Sequence, residues 1–447
     1  MTRDFQYLPL RHVAAVKNSN VDKLSLPGES PVRLCNYVDV YRNDRITQAV
    51  SFMRASATPS EITSFKLRLG DVLITKDSEQ WNDIGVPALV ATEADDLVCG
   101  YHLTMLRPHP SKIMGSYLAY ALRVPEVAVQ LHLAAKGVTR YGLSQQGIKS
   151  ALVPVPLLEE QGLIVRYLDH AELRIAKAIA AKQTMVSLME EQRSAVVAHE
   201  MLGGENKRTA VKQLEGFGEI PAHWEVMTLR GLLRKIALRN PGGHQLLSVL
   251  RSRGVIERSL DRADNHNFIP DDLSNYKVVK PGDLVMNKMK AWSGSVGVSR
   301  HRGVVSPAYF VYEFRSPIDP AFMNLLFRSN YMRYWFGRYS EGVRVGQWDL
   351  SPEEIKNIRV PVPALEEQVA ISERVVARTS EMDAAIASVQ AEIALLKEYR
   401  IRLISDVVTG KMDVRDEAAK LPEIDPMELA TVAVGENGDD EEATDDD

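Results

Sequence analysis

The side chains in this sequence whose types and spacing could do chemistry are mostly cationic, and they fall in two groups. Lys136, Thr139, Arg140, Tyr141 and Gln145 form the first, just ahead of a helix expected to carry Ile148. Lys288, Lys290, Trp292, Arg300, His301 and Arg302 form the second, with Arg328, Arg333, Arg338, Arg344, Gln347 and Trp348 further on. Arginine can fork onto guanine and glutamine onto adenine in the major groove, while lysine and threonine can hold phosphates. The chemistry these residues suit is recognition of a nucleic acid. A solvated basic face has the same composition, so the pattern alone does not decide.

Catalytic signatures are missing. There is no Gly-rich loop ending in Gly-Lys-Ser/Thr, no dinucleotide-binding glycine fingerprint after a strand and no His-Glu-x-x-His. The 10 histidines show no metal-ligand spacing, and the Ser-Gly-Ser-Val-Gly stretch at 293–297 is not a nucleophile elbow. Asn240-Pro241-Gly242-Gly243 is not the Asn/Asp-Pro-Pro-Tyr/Phe motif of an amino-methyltransferase. Asp349, Glu354 and Lys356 share the makeup of the acid–acid–lysine trio of metal-dependent nucleases. The same stretch reads as a capping box, with Ser351 as N-cap, Pro352 at N1 and Glu354 at N3. No catalytic residue, no metal and no cofactor are expected in this chain.

The elements that must position the cationic groups follow from an internal repeat. Residues 153–161 read Val-Pro-Val-Pro-Leu-Leu-Glu-Glu-Gln and residues 360–368 read Val-Pro-Val-Pro-Ala-Leu-Glu-Glu-Gln, at an offset of 207. The same offset maps Leu143 onto Leu350, Ser144 onto Ser351, Ile148 onto Ile355, Lys149 onto Lys356 and Gly203 onto Gly410. Upstream, Gly70-Asp71-Val72-Leu73 matches Gly282-Asp283-Leu284-Val285 at an offset of 212. A period of about 200 residues is far too long for a solenoid and implies a duplicated domain with internal pseudo-two-fold symmetry. The places of Asp349 and Glu354 are taken by Gly142 and Gly147 in the first copy, which excludes a doubled nuclease site.

Each copy opens with a mixed part, 1–156 or 212–363. Short β-branched and aromatic runs such as Val304, Val305, Tyr309, Phe310, Val311 and Tyr312 alternate there with Gly/Pro punctuation and with helical patches at 116–133 and 320–337. A long stretch poor in Gly and Pro follows. Met382, Ile386, Val389, Ile393, Leu396 and Leu403 step along it as an a/d seam, and Ile175, Ile179, Val186, Met189 and Val196 repeat that seam in the first copy, with Lys182 in the slot of Val389. Both helices are expected to stop at glycine, at Gly203-Gly204 and at Gly410. A helix over 164–202 measures about 58 Å. Two such seams in one chain predict an antiparallel coiled coil. The fold class is thus α+β, with two mixed α/β domains separated by two long paired helices.

Of the 447 residues, 45% are apolar and 25% charged, the balance of a globular protein of two or three domains. Two cysteines, Cys35 and Cys99, cannot staple a chain this long and fit a reducing cytoplasm. No apolar run reaches the ~18 residues of a membrane helix, and Met1-Thr2-Arg3-Asp4-Phe5 does not open a secretory signal. The formal charge of −5 hides an asymmetry: residues 436–447 hold eight acidic and no basic residues, while 1–410 hold 51 basic and 45 acidic. The excess of positive charge lies in the mixed parts, +7 in 212–363 and +3 in 1–156, as a phosphate-binding surface requires. The acidic tail is expected to be disordered.

These features together resemble the DNA-specificity subunits of Type I restriction–modification systems. The resemblance is carried by the doubled Val-Pro-Val-Pro…Glu-Glu-Gln phrase leading into a heptad helix, by Gly70-Asp71 and Gly282-Asp283, and by Ile220-Pro221-Ala222-His223-Trp224, which looks like the opening phrase of many recognition domains in that family. It runs to about residue 413; the first copy lacks the Ile-Pro…Trp opening, and the tail lies outside the pattern. It implies target recognition domains at 1–156 and 212–363, a central conserved helical region at 157–211, a C-terminal one at 364–413 and an acidic tail at 414–447. It further implies double-stranded DNA as ligand, two copies of a methyltransferase subunit as partners and a motor-nuclease subunit as a further one. S-adenosylmethionine would be bound by the methyltransferase, not by this chain, and the methylated atom would be adenine N6. A single-chain restriction-methyltransferase and a coiled-coil scaffold without a nucleic-acid role are the competing readings.

Overall fold

The structure is a computed structural model that describes residues 5–204, 210–251, 253–258, 272–344, 347–424 and 428–429, the side chains of 343, 344 and 347 excepted. The tail expected to be disordered from 414 is ordered at its start, where Arg415–Ala418 forms a short helix and Val414 and Ala418 are buried; nothing past residue 429 is described, so the acidic run 436–447 lies outside it. The chain forms two compact units, residues 1–185 with 389–439 and residues 186–388.

In the first unit the strands Ala14–Asn18, Leu103–Pro108, Val72–Thr75, Pro87–Val90 and Arg45–Ile46 lie side by side in that order. All neighbours are antiparallel except the last pair. Val72–Thr75 is buried along its whole length because both faces are covered. Val72 and Ile74 join the core that holds Tyr117 and Leu118 of helix Gly115–Arg123, while Leu73 joins the one that holds Val40 of helix Tyr37–Arg42. A strand buried on two sides reads as an unbroken apolar run, as Val-Leu-Ile-Thr does. The second unit is built alike. Its strands Leu233–Ile236, Tyr309–Phe314, Leu284–Asn287 and Val296–Val298 are all antiparallel, with Leu284 and Met286 facing one core and Val285 the other.

The Gly-Asp phrase is a turn that launches this central strand. Gly70 and Gly282 have φ of 86° and 92°, a left-handed conformation that a side chain would strain. The carboxylates of Asp71 and Asp283 accept the N–H of Arg68 (2.9 Å) and Lys280 (2.7 Å), closing the turn from within. The phrase is repeated because the turn is.

A helix pair follows the sheet in each copy, Gly115–Arg123 with Pro125–Ala134 and Pro320–Arg328 with Asn330–Arg338. The Val-Pro-Val-Pro strands Leu152–Val155 and Arg359–Val362 then pair with Gln6–Pro9 and Glu225–Thr228. The glutamine closing the repeated phrase is buried in both copies. Gln161 accepts the N–H of Met114 (2.8 Å) and donates to the carbonyls of Lys112 and Pro156 (both 2.9 Å). Gln368 accepts the N–H of Asp319 (3.0 Å) and donates to the Pro363 carbonyl (2.8 Å). Met114 and Asp319 are the N-caps of the first helix of each pair, so one amide fastens lobe helix, strand end and long helix together.

The long helices run Leu158–Met201 and Leu365–Val408, 44 residues each, or about 66 Å. The first begins six residues before the 164 expected from the seam, and both open on acidic first turns, Glu159-Glu160 and Glu366-Glu367, that suit a helix N-terminus. Within each unit they pack antiparallel. In the first unit Ile175, Ile179, Val389 and Leu403 are buried and Ile393 and Leu396 half-buried, flanked by Lys182–Glu392 and by Glu172–Arg400 at 2.6 Å. In the second, Ile386 is buried, and Met382, Val186, Met189 and Val196 are half-buried. There Arg193 meets Asp383 at 2.5 Å, and Glu200 is held by Arg374 (3.0 Å) and Arg378. Every seam residue read from the sequence faces away from solvent at least in part.

A second fastening holds the first lobe to its helices. Arg400 reaches Asp44 and Glu172 at 2.6 Å, Arg123 meets Asp44 at 2.9 Å, and Asp169 accepts from Arg45 (2.6 Å) and Tyr120 (2.7 Å). Ion pairs this enclosed fix geometry more than they add stability.

Two outcomes test this picture. Gln368→Ala removes hydrogen bonds to buried main-chain groups and should cost about 1–3 kcal/mol in chemical denaturation. Burial works to raise the Glu200 carboxyl, but the hydrogen bonds and charges of Arg374 and Arg378 hold it below the ordinary glutamate value. Its contribution is therefore complete above that ordinary value and is lost as pH falls through the depressed one. The acid limb of a stability–pH curve should flatten in Glu200→Gln and stay unchanged in the neighbouring exposed His199→Gln.

Candidate nucleic-acid interface

The first cationic group sits on a hairpin. Ala135–Gly137 pairs with Tyr141–Leu143, and Val138, Thr139 and Arg140 form its tip, with Val138 90% exposed. Lys136 is also exposed and Tyr141 half-buried. Gln145 is exposed, and its amide donates to the Val16 carbonyl at 2.7 Å, which ties the following helix, Gln145–Ser150, to the sheet. Ser144 caps that helix by accepting the Gly147 N–H at 3.1 Å.

Strand pairing brings residues to this hairpin that sequence spacing could not place. Tyr141 and Gly142 pair with Ser78 and Asp77. The Asp77 carboxylate contacts His102 Nδ1 (2.9 Å) and accepts from Lys76 Nζ (3.0 Å), and Lys76 lies 4.4 Å from the centre of the half-exposed Tyr101 ring. Burial alone would raise the Asp77 carboxyl; His102 and Lys76 hold it below its ordinary value. Burial, with the Asp83 charge, raises the Tyr37 hydroxyl, opposed by a hydrogen bond with Ser78 and by the charge of Arg140.

The second group is also built on a hairpin, Ser340–Arg344 with Gln347–Leu350. The side chains of Arg344 and Gln347 lie outside the described residues. Trp348 tilts against Trp292 with ring centres 4.9 Å apart, and Trp292 Nε1 donates to the Met289 carbonyl at 2.9 Å. Lys288 pairs with Asp349, and Lys290, on the same loop, is half-buried. Arg300 and Arg302 belong to a different turn, whose His301 meets Glu257 at 3.1 Å.

A third feature was legible only in part. Arg333 and Arg251 both flank Gly294, on the loop that carries Trp292, and Arg328 donates to the Arg251 carbonyl at 3.0 Å. Burial lowers the pKa of Arg328, helped by Arg193 and Arg333, and that of Arg333, helped by Arg251. Guanidiniums partly buried beside one another suit an anion such as a phosphate. Arg251 stands far from its partners in the sequence and gave no signal there.

The acid–acid–lysine reading does not survive. Asp349 is occupied by Lys288, and Lys356 pairs with Glu353 at 2.6 Å. The expected capping box is absent too: residues 352–354 form a turn, Ile355–Asn357 is a short 3-10 helix, and the bond that opens it runs from the Ile355 N–H to the Ser351 carbonyl at 3.3 Å. Pro352 and the following acids make too short a segment for an α-helical cap. Among the described residues no group of three His, Cys, Asp or Glu could hold a metal, and no helix is long and apolar enough to cross a membrane.

No family model matches the chain. It is 22% identical over 384 residues to a provisionally named type I restriction enzyme MjaX specificity subunit of Methanocaldococcus jannaschii, covering 79% of this chain and 81% of that one. It is 23% identical over 324 residues to the MjaVIII specificity subunit of the same organism, covering 68% and 72%. The chain is a homologue of the type I restriction enzyme specificity subunits. A chain solved in work on complex assembly and conformational transition of the type I R-M system has the same fold, at TM-score 0.53 and 14% identity, with 92% of this chain and 100% of that one covered. In this specificity-subunit homologue the two basic hairpins occupy equivalent places in the repeat, each before a short helical segment and the Val-Pro-Val-Pro strand.

Arg140→Ala and Gln145→Ala should therefore part ways. The first should weaken duplex binding by about 1–3 kcal/mol with unfolding unchanged. The second should lower the unfolding midpoint, with its effect on binding following that loss. Equal effects of the two on binding at matched stability would remove Arg140 from the interface.

Proposed function

We propose that this chain is the DNA-reading, non-catalytic subunit of a type I restriction–modification complex, with each lobe reading one half of a bipartite site. The observation that carries the reading is the duplicated construction: in each copy an exposed or aromatic-lined basic hairpin hangs on a lobe that a buried glutamine fastens to the long helices. The hairpin tips are unlike, Val138-Thr139-Arg140 against Arg344 to Gln347, so the half-sites should differ and the whole site be asymmetric.

On this reading the long helices set the half-site spacing. Half-sites read from one face of the duplex lie about one turn apart, ~34–36 Å, or a multiple of it. Two methyltransferase subunits, with a motor-nuclease subunit where restriction occurs, would supply the chemistry in the cytoplasm. S-adenosylmethionine would sit in the methyltransferase, which takes the target adenine out of the stack to methylate N6. This chain contributes binding and placement.

The test is a comparison of methylated adenines in host genomes with and without this gene. Loss of one discontinuous, asymmetric adenine mark is the expected result. Identical methylation patterns would remove the proposal.

A further inference from the structure

The duplication is an internal comparison, and two separate alignments meet at one point. The offset of 212 that maps Asp71 onto Asp283 also maps Lys76 onto Lys288. The offset of 207 that maps Ser144 onto Ser351 also maps Leu143 onto Leu350. In the first lobe the Leu143 N–H donates to the Lys76 carbonyl at 2.8 Å; in the second, Leu350 donates to the Lys288 carbonyl at 3.0 Å. Each hairpin is thus hung from the residue that follows the central strand, and that residue is lysine both times. A main-chain carbonyl accepts equally well from any residue type, so the hanging does not explain the side chain.

Both ammonium groups are held by a carboxylate. Lys76 donates to Asp77 at 3.0 Å, and Lys288 pairs with Asp349. The two carboxylates are not equivalent in the repeat. Asp77 follows its lysine directly, where the second copy has Met289, and Asp349 sits on the hairpin, where the first copy has Gly142. The same pair is therefore assembled by two routes: the cation is retained, and an anion reaches it from different places. Lys76 lies over the Tyr101 ring in one lobe, and in the other the residue next to Asp349, Trp348, packs against Trp292.

We propose that Lys76 and Lys288 are phosphate-contacting residues and that Asp77 and Asp349 make that contact conditional on the base. This rests on the DNA-reading proposal above. In the unbound lobe the carboxylate holds the ammonium. On the right half-site the carboxylate accepts an N–H from the exocyclic amino group of a base, as acidic side chains do from cytosine N4. The lysine then turns to the backbone phosphate. On a wrong base the carboxylate finds no donor and stands against the phosphate, so the device rejects as well as attracts. The first pair is the stiffer one, since His102 holds Asp77 as well.

The test uses the full chain against a randomised duplex library and one fixed duplex lacking any selected site. Asp349→Asn should bind the fixed duplex more tightly and lose base preference at one position of one half-site by roughly 10-fold or more. Asp77→Asn should do the same in the other half-site. Lys288→Ala should lower the slope of log affinity against log salt by about 1 while keeping the selected sequence, and Lys288→Arg should restore the slope. The side chains of Lys288 and Asp349 are 39% and 49% exposed, so their variants should fold; Asp77 is 22% exposed, and Asp77→Asn is compared after its unfolding midpoint is checked against wild type. If wild type selects a discontinuous sequence and both Asn variants select it unchanged, the conditional contact is wrong and DNA reading stands. If wild type selects no sequence, both fail together.

Discussion

The place of each lobe on its long helix is fixed at one corner by a buried amide. A strand ending in proline cannot be carried on by its own hydrogen bonds, and the carbonyl it leaves needs a donor in a place water does not reach. Gln161 and Gln368 supply that donor to Pro156 and Pro363 from one turn inside the long helices. The same side chain takes up an N–H at the start of a lobe helix, one of the groups a helix N-terminus leaves unmatched. Strand, lobe helix and long helix are thereby locked at one corner. The lock adds to the packing of Ile164 and Leu168 in the first unit, and of Ile371 and Val375 in the second, against the lobe core, and to the ion pairs of Arg400 and Asp169 in the first. A hairpin that reads bases must be held to a fraction of an ångström, and a swivelling lobe cannot do so.

The long helices answer a second demand, that a two-stranded seam be closed on the correct partner. Apolar packing along an a/d seam is nearly indifferent to a one-heptad slip, and charges settle the register. Lys182 with Glu392 and Glu172 with Arg400 do this in one unit, Arg193 with Asp383 and Glu200 with Arg374 in the other. Lys182 explains itself in this light. It stands in a heptad slot filled by Val389 in the other copy, and an ion pair with Glu392 takes the place that apolar packing holds there.

The sequence yields the framework more fully than the site, for a physical reason. Heptad spacing, Gly stops and repeated phrases are local or periodic, and the seam from Ile175 to Leu403 follows directly from them. The helix starts do not, because acidic residues in a first turn look like a loop until the glutamine behind them is seen to be buried. The hairpin carrying Arg140 could be found, since a cationic tip between short strands is a local pattern. Asp77, His102 and Tyr37 could not, since only the pairing of Ser78 with Tyr141 brings them there. Gln145 has a structural partner that its sequence context does not reveal. A glutamine in a polar loop looks the same whether it meets an adenine or, as here, a carbonyl of its own chain.

What the two copies share and where they part then separates scaffold from readout without any outside comparison. The Gly-Asp turn, the Val-Pro-Val-Pro strand and the buried glutamine recur with the same hydrogen bonds, so they are tied to folding. The hairpin tips, the aromatic surroundings and the carboxylates have all changed, as expected of surfaces matched to two different sequences. Between these classes stands a lysine that is kept in type although its main-chain role does not require it. On the reading proposed above, a side chain retained through such divergence answers to something common to both half-sites, and the sugar-phosphate backbone is the part of a duplex that does not vary with sequence.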